Sequence, residues 1–355
     1  MNWDCTILIP AYNPPDTFGD YLRQLRGAGL DRILIVDDGS RKERQRLFEE
    51  AEQIGCVVLH HDGNQGKGAA LKTGFAYYQT HFQGSCDGII TVNSDGSNLP
   101  EDVLRIAEAL HNEQKMDTYG LVLGTRDFSS PNISRARRWG NKITGVIYKA
   151  LTGISVKDVL TGFRGIPDMR IGECAGMWGN GYEYETSMML DCEHAGYLEV
   201  PVETSLPEKT AEKHYRPVRD TTRIYVALFR KFLLFTMTSL FVSALDIFLF
   251  WLLTEYCIKN IRYPLVWGTV IARVISAAIN YLINRYLVFQ SNEDRRKSAS
   301  MFVALSFVQC ILSAGLVQAL EYFSSQDPVL LKVIVDVGLF FFSYFVQHRL
   351  IFKKK

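Results

Sequence analysis

The stretch RILIVDDGS, residues 32–40, is a short apolar run that ends in two carboxylates and a glycine turn. Such a run, bounded by turn residues, is typical of a strand buried on both faces of a parallel sheet. In open parallel sheets, ligands bind beyond the carboxyl ends of the strands, which is where Asp37 and Asp38 stand. The stretch therefore predicts an α/β fold with a ligand site at one edge of the sheet.

Apolar runs followed by polar clusters recur on both sides of this stretch, and helix-like segments alternate with them. On the first helix-like segment Phe18, Tyr21, Leu22 and Leu25 fall on one face. The polar clusters that follow the other runs are Ala11-Tyr12-Asn13, residues 60–68 and Asn93-Ser94-Asp95. Each cluster alone is compatible with a simple turn, but together they predict a Rossmann-like domain. Neither the dinucleotide fingerprint nor the P-loop spacing is present, which disfavours a dehydrogenase or an ATPase.

The C-terminal part of the chain is predominantly apolar. It contains four stretches of about 20 residues, each long enough to cross a bilayer. The stretches are Phe232–Leu253, Pro264–Ile283, Ser300–Leu320 and Val329–Gln347. We therefore expect an α/β domain in residues 1–230 and an all-α transmembrane domain of four helices in residues 231–355. Basic and aromatic residues within 205–230 predict an amphipathic, membrane-proximal segment.

Charge is distributed differently in the two halves. Residues 1–231 carry 27 Lys or Arg against 31 Asp or Glu, and the rest carry 12 against 7, which indicates no nucleic-acid partner. Basic residues precede the first span and follow the second and fourth, so both termini and the first domain are expected on the cytoplasmic side of the cell membrane. The N-terminus lacks the pattern of a cleaved signal, and seven scattered cysteines suit reduced thiols rather than zinc.

Two features of the apolar half indicate internal organisation. NYLINRYLVF (residues 280–289) and SYFVQHRLIF (residues 343–352) align without a gap, which indicates either two related helix pairs or only a shared interfacial chemistry. Asp246, Arg273 and Asp336 lie within apolar spans, where an unpaired charge is costly. An ion pair between Arg273 and an Asp, or a water-lined transport path, would account for them.

The motifs of the first domain, taken in order, resemble those of family 2 glycosyltransferases. They are IPAYNPP (9–15), IVDDGS (35–40), GNQGKGAALKTG (63–74), a shortened D-x-D at 93–95 and LGTRDF (123–128). RRWGNKIT (137–144), VKDVLTGFRGIP (156–167) and GYEYET (181–186) are similar to the branch that makes polyprenyl-phosphate sugars, as dolichyl-phosphate mannose synthases do. The membrane half resembles a GtrA-like domain. The resemblance implies a nucleotide-sugar-binding domain of GT-A type.

This resemblance implies roles for individual residues. Tyr12, Asp37 and Asp38 would hold the base and ribose of a nucleotide sugar. Asp95, with Asn93 and Ser97, would bind the Mg²⁺ or Mn²⁺ ion that bridges the diphosphate. The other residues assigned to the nucleotide sugar are Pro10, Asn13, Lys67, Ser94, His214 and Arg219, the last two forming a basic gate ahead of the membrane. Arg126, Arg138 and Arg164 lie in motifs that approach the acceptor phosphate or the diphosphate.

One position departs from the family pattern. Asn93 stands where the first Asp of the D-x-D motif is usual, and Ser97 stands where a Gln often helps. An amide oxygen can still reach a metal ion, but one formal charge is lost. The departure predicts either weaker metal binding with activity intact or a degenerate site that binds without turnover.

The predicted reaction is a single-displacement, inverting transfer from a nucleotide sugar to undecaprenyl phosphate or a similar lipid. A phosphate monoester has a second pKa near ~6 and is a dianion at neutral pH, so the enzyme needs to position it rather than deprotonate it. Asp158, Glu183 and Glu185 are possible bases if the acceptor is instead a hydroxyl. Glu183 is favoured for positioning. A uridine nucleotide is favoured over guanosine.

Other interpretations stay open. A polysaccharide-building enzyme usually shows Q-x-x-R-W, and here Arg135 stands at the Gln position, which disfavours that class. The membrane half is alternatively a flippase for the lipid-linked sugar. It is also compatible with an anchor or with the interface of a homo-oligomer.

Overall fold

A computed structural model describes residues 4–115, 120–129, 133–203, 216–257, 264–323 and 328–352. The chain divides into two compact units, Met1–Leu228 and Phe229–Lys355. The first is an α/β unit and the second is helical.

The first unit is built on a mixed sheet of seven strands. The strands are β1 (Cys5–Ala11), β2 (Ile33–Asp37), β3 (Val57–His60), β4 (Gly88–Thr91), β5 (Leu121–Arg126), β6 (Arg164–Pro167) and β7 (Tyr197–Val202), in the order β3-β2-β1-β4-β6-β5-β7. The first four strands are parallel, as predicted. Strand β6 runs antiparallel to both β4 and β5, so the sheet is not parallel throughout.

The reversal of β6 decides which loops meet. Because β6 is antiparallel to β4, the first residue of β6, Arg164, pairs with the last residue of β4, Thr91. The chain just before β6, residues 158–163, therefore arrives at the same edge as the turn that follows β4. Strand alternation alone did not predict this meeting.

Seven helices complete the first unit, and an eighth begins in it. They are α1 (Phe18–Gly27), α2 (Gln45–Gln53), α3 (Lys67–His81), α4 (Pro100–Lys115), α5 (Arg135–Thr152), α6 (Asp168–Ala175), α7 (Glu183–Asp191) and α8 (Pro217–Leu252). The predicted apolar face of α1 is confirmed, since Phe18, Tyr21, Leu22 and Leu25 are all buried. They pack with Ile7, Ile9 and Ile35 of the sheet in one continuous core.

The second unit consists of the rest of α8 with α9 (Pro264–Ile283), α10 (Arg295–Phe323) and α11 (Pro328–Val346). Within the described residues, three helical segments are long and apolar enough to cross a membrane: Val218–Cys257, Arg295–Leu320 and Val333–Ile351. Helix α9 has the bounds of the second predicted apolar stretch and is 20 residues long. The basic residues between 217 and 231 belong to the same helix as the first span, and Asp220 caps its start by accepting from the Arg216 backbone N–H at 2.7 Å.

The two similar sequence segments also fold alike. Both end in a single π-helical turn, Asn284–Val288 and Gln347–Ile351, which are offset by the same 63 residues as the aligned sequences. Asn284 Nδ2 donates to Oε1 of its counterpart Gln347 at 3.0 Å. The counterparts Phe289 and Phe352 stack with ring centroids 5.4 Å apart.

Contacts away from these pairs are reciprocal. Tyr281 lies 5.7 Å from Phe352, and its counterpart Tyr344 lies 6.0 Å from Phe289, measured between ring centroids. Reciprocal contacts of this kind are the signature of a two-fold relation. They support the interpretation that the helical unit is a pair of related hairpins.

A buried polar network runs through all four helices at this end. Asn284 accepts from Thr238 of α8 at 3.4 Å, and Gln347 Nε2 donates to Ser343 at 2.9 Å. Ser343 donates to Gln309 of α10 at 3.4 Å. Because polar groups in an apolar medium must be satisfied internally, this network ties the helices together.

The intramembrane charges have partners. Arg273 lies 3.5 Å from Asp246, so the predicted ion pair of Arg273 with an Asp is confirmed. Ser276 donates to the same carboxylate at 2.7 Å, and Ser313 donates to Asp336 at 2.8 Å.

Candidate functional site

Asp37, at the end of β2, organises the turn that follows it. Its carboxylate accepts from the Ser40 backbone N–H at 2.8 Å and from Gln45 Nε2 at 3.1 Å, and contacts His60 Nδ1 at 3.0 Å. Burial alone would raise the pKa of Asp37, but the hydrogen bonds from Ser40, His60 and Gln45 outweigh it and lower that pKa below its ordinary value. Asp37 is therefore a stable anion that holds the loop.

Asp38 fixes the glycine-rich loop ahead of α3. One carboxylate oxygen accepts from the Gln65 N–H at 2.9 Å and the other from the Gly66 N–H at 2.7 Å. His61 Nδ1 adds a contact at 2.8 Å. Both oxygens are thus engaged in positioning the loop, and direct contact with a ribose stays a prediction. Gly66 adopts φ +106°, and a Cβ there would lie 2.4 Å from the Asn180 carbonyl oxygen, so only glycine suits the position.

The loop after β1 is joined to the loop after β2. Asn13, in the left-handed region at φ +46°, donates its backbone N–H to Ser40 Oγ at 2.8 Å and accepts from the Arg41 N–H at 2.9 Å. Its Nδ2 is buried and has no acceptor among the described residues. A buried N–H donor that lacks an acceptor costs about 1–3 kcal/mol. A ligand oxygen that accepted from Nδ2 would remove this cost. Pro10, near the end of β1, and Tyr12, on the loop, are half-buried.

The turn after β4 holds Asn93, Ser94 and Asp95, all half-buried. Asn93 donates its backbone N–H to Asn98 Oδ1 at 2.8 Å and its Nδ2 to Ser97 Oγ at 3.3 Å. Its own Oδ1 accepts from Lys67 Nζ at 3.2 Å. Asp95 Oδ1 accepts from the Ser97 N–H at 3.0 Å. The side-chain oxygens of Asn93 and Ser97 thus each accept a hydrogen bond from a protein donor, and their contact with a metal ion stays a prediction.

A compact ion pair lies beside this turn. Lys67, the first residue of α3, places Nζ 2.7 Å from Oε1 of Glu185 on α7. A Cβ at Gly162 would lie 2.5 Å from that oxygen and 2.7 Å from Nζ, so the backbone of the segment before β6 packs directly against the pair. The two predicted residues, Lys67 and Glu185, are thus brought together.

A second pair joins the ends of β5 and the segment before β6. Arg126 Nε and Nη2 donate to the two oxygens of the fully buried Asp158 at 2.6 and 3.0 Å. Burial alone would lower the pKa of Arg126, but the hydrogen bonds and charge of Asp158, with the nearby Glu185 carboxylate, raise it above its ordinary value. The bidentate geometry fixes the guanidinium plane.

The remaining predicted residues lie in different surroundings. Arg164 was expected at a phosphate, but it is 1% exposed and donates to the carbonyl oxygens of Thr161 at 2.8 Å and Glu185 at 2.6 Å. This corrects the prediction: Arg164 positions the segments that carry the two ion pairs. Arg138 is exposed near the start of α5, and Arg219 is exposed at the start of α8. His214 lies outside the described residues.

Two further side chains support the loops around the site. Glu183 accepts from the Asn180 and Gly181 N–H groups at 3.2 and 3.0 Å, which matches its predicted positional role. Tyr21 donates to the Asn98 carbonyl at 2.8 Å and so braces the turn that holds Asp95. No sequence pattern reveals the Tyr21 contact, because Tyr21 and Asn98 lie 77 positions apart along the chain.

No group of three or more His, Cys, Asp or Glu side chains suited to a metal exists within the described ranges. Asp95 uses one oxygen for the Ser97 N–H, and its carboxylate forms no other hydrogen bond within that part of the chain. Mg²⁺ is commonly held by one or two carboxylates, with substrate phosphates and water filling its other positions. Asp95 fits that mode as a single protein ligand.

Family comparisons divide the chain in the same way as the fold. Residues 6–169 match the family described as "Glycosyl transferase family 2", and residues 226–352 match "GtrA/DPMS, transmembrane domain".

Individual relatives are distant. The chain is 25% identical over 229 residues to glycosyltransferase AglJ of Haloferax volcanii, covering 63% of this chain and 71% of that protein. It is 32% identical over 164 residues to an undecaprenyl-phosphate 4-deoxy-4-formamido-L-arabinose transferase of Pseudomonas fluorescens, covering 43% of this chain and 44% of that protein. It is 25% identical to a UDP-N-acetylglucosamine–dolichyl-phosphate N-acetylglucosaminyltransferase of Methanococcus voltae, covering 44% and 67%. The chain thus spans less than half the length of the Pseudomonas relative.

Among solved structures, the chain is similar to glucosyl-3-phosphoglycerate synthase of Mycobacterium tuberculosis in complex with Mn²⁺, UDP-glucose and phosphoglyceric acid, with a TM-score of 0.49 and 16% identity over 64% of this chain and 79% of that one. Together, the two family matches account for most of the chain. The chain therefore combines a domain of the family 2 glycosyltransferases, at residues 6–169, with a transmembrane domain of the GtrA/DPMS family, at residues 226–352.

Proposed function

We propose that this glycosyltransferase moves a sugar from a nucleotide sugar to a polyprenyl phosphate, such as undecaprenyl phosphate, with inversion at the anomeric carbon. The product would be a lipid-linked sugar that donates to cell-envelope glycosylation. Relatives named for undecaprenyl phosphate and dolichyl phosphate support this acceptor class. The presence of a membrane domain on the same chain supports it as well.

The observation that carries the proposal is that each of the three candidate bases is already bonded to protein donors. Asp158 gives both oxygens to Arg126, and Glu185 pairs with Lys67. Glu183 receives two backbone N–H groups. An alcohol acceptor would need a carboxylate within reach of its proton. A phosphate dianion needs none, so a site whose three candidate bases are each engaged with a protein donor favours a phosphate nucleophile.

For the donor, we propose that the loops after β1, β2 and β4 hold the nucleotide, with the unmet Nδ2 donor of Asn13 facing one of its oxygens. Tyr12, Asp37 and Asp38 would shape the base and ribose site, with Pro10 and Ser94 at its borders. A uridine nucleotide is proposed over guanosine, in line with the name of the Methanococcus relative. The choice of sugar does not enter the proposal.

We further propose that Asp95 holds a Mg²⁺ or Mn²⁺ ion on the donor. When bound, such an ion neutralises charge that builds on the departing diphosphate. The chain's own residues orient the reactants: Arg126, fixed by Asp158, and the exposed Arg138 and Arg219 would attract the acceptor phosphate. One phosphate oxygen attacks the anomeric carbon on the side opposite the leaving nucleoside diphosphate, so the configuration at that carbon is inverted.

Sidedness and assembly complete the proposal. The catalytic domain and both termini would face the cytoplasm, because the basic loops are expected there. The transmembrane unit would keep the acceptor headgroup near the catalytic domain. Flipping of the lipid-linked sugar, and self-association through this unit, are the alternative uses of the same helices.

A label-transfer assay tests the reaction. Membranes that contain the full-length protein are incubated with radiolabelled UDP-sugars, Mn²⁺ and undecaprenyl phosphate. Label is expected in the organic-extractable lipid, and mild acid should release it as free sugar. Membranes with the Asp95→Ala protein serve as the matched control. Label found only in a water-soluble polymer would overturn the proposed acceptor class.

A further inference from the structure

We propose that Lys67 is a diphosphate-binding cation of the donor site and that Asn93 serves as its acceptor rather than as a metal ligand. The inference rests on the proposed function, since it takes a nucleoside diphosphate as the ligand. The D-x-D pattern alone would instead assign Asn93 as a metal ligand.

The geometry gives Lys67 two of the three acceptors that an ammonium can use. Nζ lies 2.7 Å from Glu185 Oε1 and 3.2 Å from Asn93 Oδ1. An ammonium has three N–H donors and no acceptor. Within the described residues no further hydrogen bond is formed by Nζ, and 18% of the side chain is exposed. The third donor is therefore available to a ligand at the turn that carries Asp95.

The pair is held too firmly to be an incidental surface contact. The Glu185 side chain is only 10% exposed, and the Gly162 backbone packs against both charged ends. The ring of Tyr182 lies 5.9 Å from Nζ, on the same loop that leads into α7. Glu185 is thus a positioning residue, which holds Lys67 beside the β4 turn.

The neutral side chain at position 93 is consistent with this role. A carboxylate there would place a second negative charge about as close to Nζ as Glu185 is. Two protein anions would then neutralise the ammonium group. The amide of Asn93 accepts a hydrogen bond without adding charge. The positive charge of Lys67 is then only partly neutralised, so it can still attract an anionic ligand. A divalent ion would have Asp95 as its protein ligand.

The expected consequence is that nucleotide binding depends only partly on metal. Lys67 would retain the diphosphate when the divalent ion is removed. The Asp95-bound ion would add affinity when present. A site built on two acidic ligands would instead lose most of its affinity on chelation.

Isothermal titration of UDP into the detergent-solubilised full-length protein tests this, in EDTA and in Mn²⁺. We expect the unchanged protein to bind UDP in EDTA, and Lys67→Gln to weaken that binding about tenfold, which is the worth of one charge-assisted hydrogen bond. The matched control is Lys72→Gln, which removes a lysine of the same helix whose Nζ contacts Asn180 instead. It should leave the affinity within about twofold.

A second variant keeps the test decisive if Lys67→Gln fails to fold. Asn93→Asp should weaken UDP binding in EDTA and lower the Mn²⁺ concentration that half-restores it, because it captures Lys67 and adds a metal ligand. Equal metal-free affinities for the Lys67→Gln and Lys72→Gln proteins, or an unchanged Mn²⁺ requirement in Asn93→Asp, would overturn the inference alone. Failure of the unchanged protein to bind UDP or GDP under any condition would overturn the nucleotide-sugar proposal as well.

Discussion

Replacing Asp158 by Asn distinguishes a positioning carboxylate from a catalytic base. The carboxylate is fully buried, whereas 34% of its partner Arg126 is exposed. Removing one member of a fully buried ion pair costs about 3–5 kcal/mol. Partial exposure of Arg126 and the acceptor that Asn retains reduce the expected loss to about 2 kcal/mol of unfolding free energy.

The kinetic expectation follows from the same geometry. With its anchor weakened, Arg126 should hold the acceptor phosphate less well, so the acceptor KM should rise about tenfold while kcat falls less. The acidic limb of the pH–rate profile should stay, because it reports the second ionisation of the acceptor phosphate near ~6.

The assay is label transfer at varied undecaprenyl phosphate and pH, with denaturant unfolding of the same preparations. Asp20→Asn, at an exposed carboxylate of α1, is the matched control and should behave like the unchanged protein. If Asp158→Asn lost about 1,000-fold in kcat, kept its acceptor KM and lost the acidic limb, Asp158 would be a base. The acceptor would then be a hydroxyl.

Four further outcomes are expected. Asp95→Ala should abolish the stimulation of transfer by Mn²⁺, because the proposed protein ligand is removed; a metal titration of initial rates measures this, and undiminished stimulation would refute the metal assignment. Gly162→Ala should weaken UDP binding several-fold by calorimetry, since the new Cβ displaces the adjoining ion pair; an unchanged affinity would contradict that packing. Asp37 has a pKa lowered by folding, so it stabilises above its unfolded pKa of ~3.9 and that stability is lost as pH falls through the folded pKa; denaturant midpoints from pH 7 to 3 should therefore fall less steeply in Asp37→Asn. Asn284→Leu should destabilise the helical unit by about 1 kcal/mol, and adding Gln347→Leu should cost less than a second such loss, as measured by unfolding in mixed detergent micelles.

The strand ends were predictable from the sequence, because each apolar run is followed by turn residues that mark where the strand stops. Asp37, Asp38 and Asn93 were thereby assigned to one edge of the sheet, and the parallel pairing of the first four strands places them there. What each carboxylate contacts was not predictable. The partners of Asp38 are loop N–H groups some 27 residues away, and no local pattern encodes such a distance.

The reversal of β6 is the main reason that the site differs from expectation. Residues 158–163 enter it only because β6 runs antiparallel to β4. The family resemblance assigns the motif around Arg164 to a phosphate, whereas the Arg164 side chain is buried in the interior. Alternation of apolar and polar residues cannot report which way a short strand runs.

The two-fold relation of the membrane hairpins sets how much any one substitution matters. Contacts off the axis exist twice, so removal of the Tyr281–Phe352 contact leaves the copy between Tyr344 and Phe289 in place. Contacts on the axis, such as Asn284 with Gln347, exist once and have no backup. Substitutions far from the two-fold axis should therefore be tolerated better than substitutions on it, because only the off-axis contacts have a second copy.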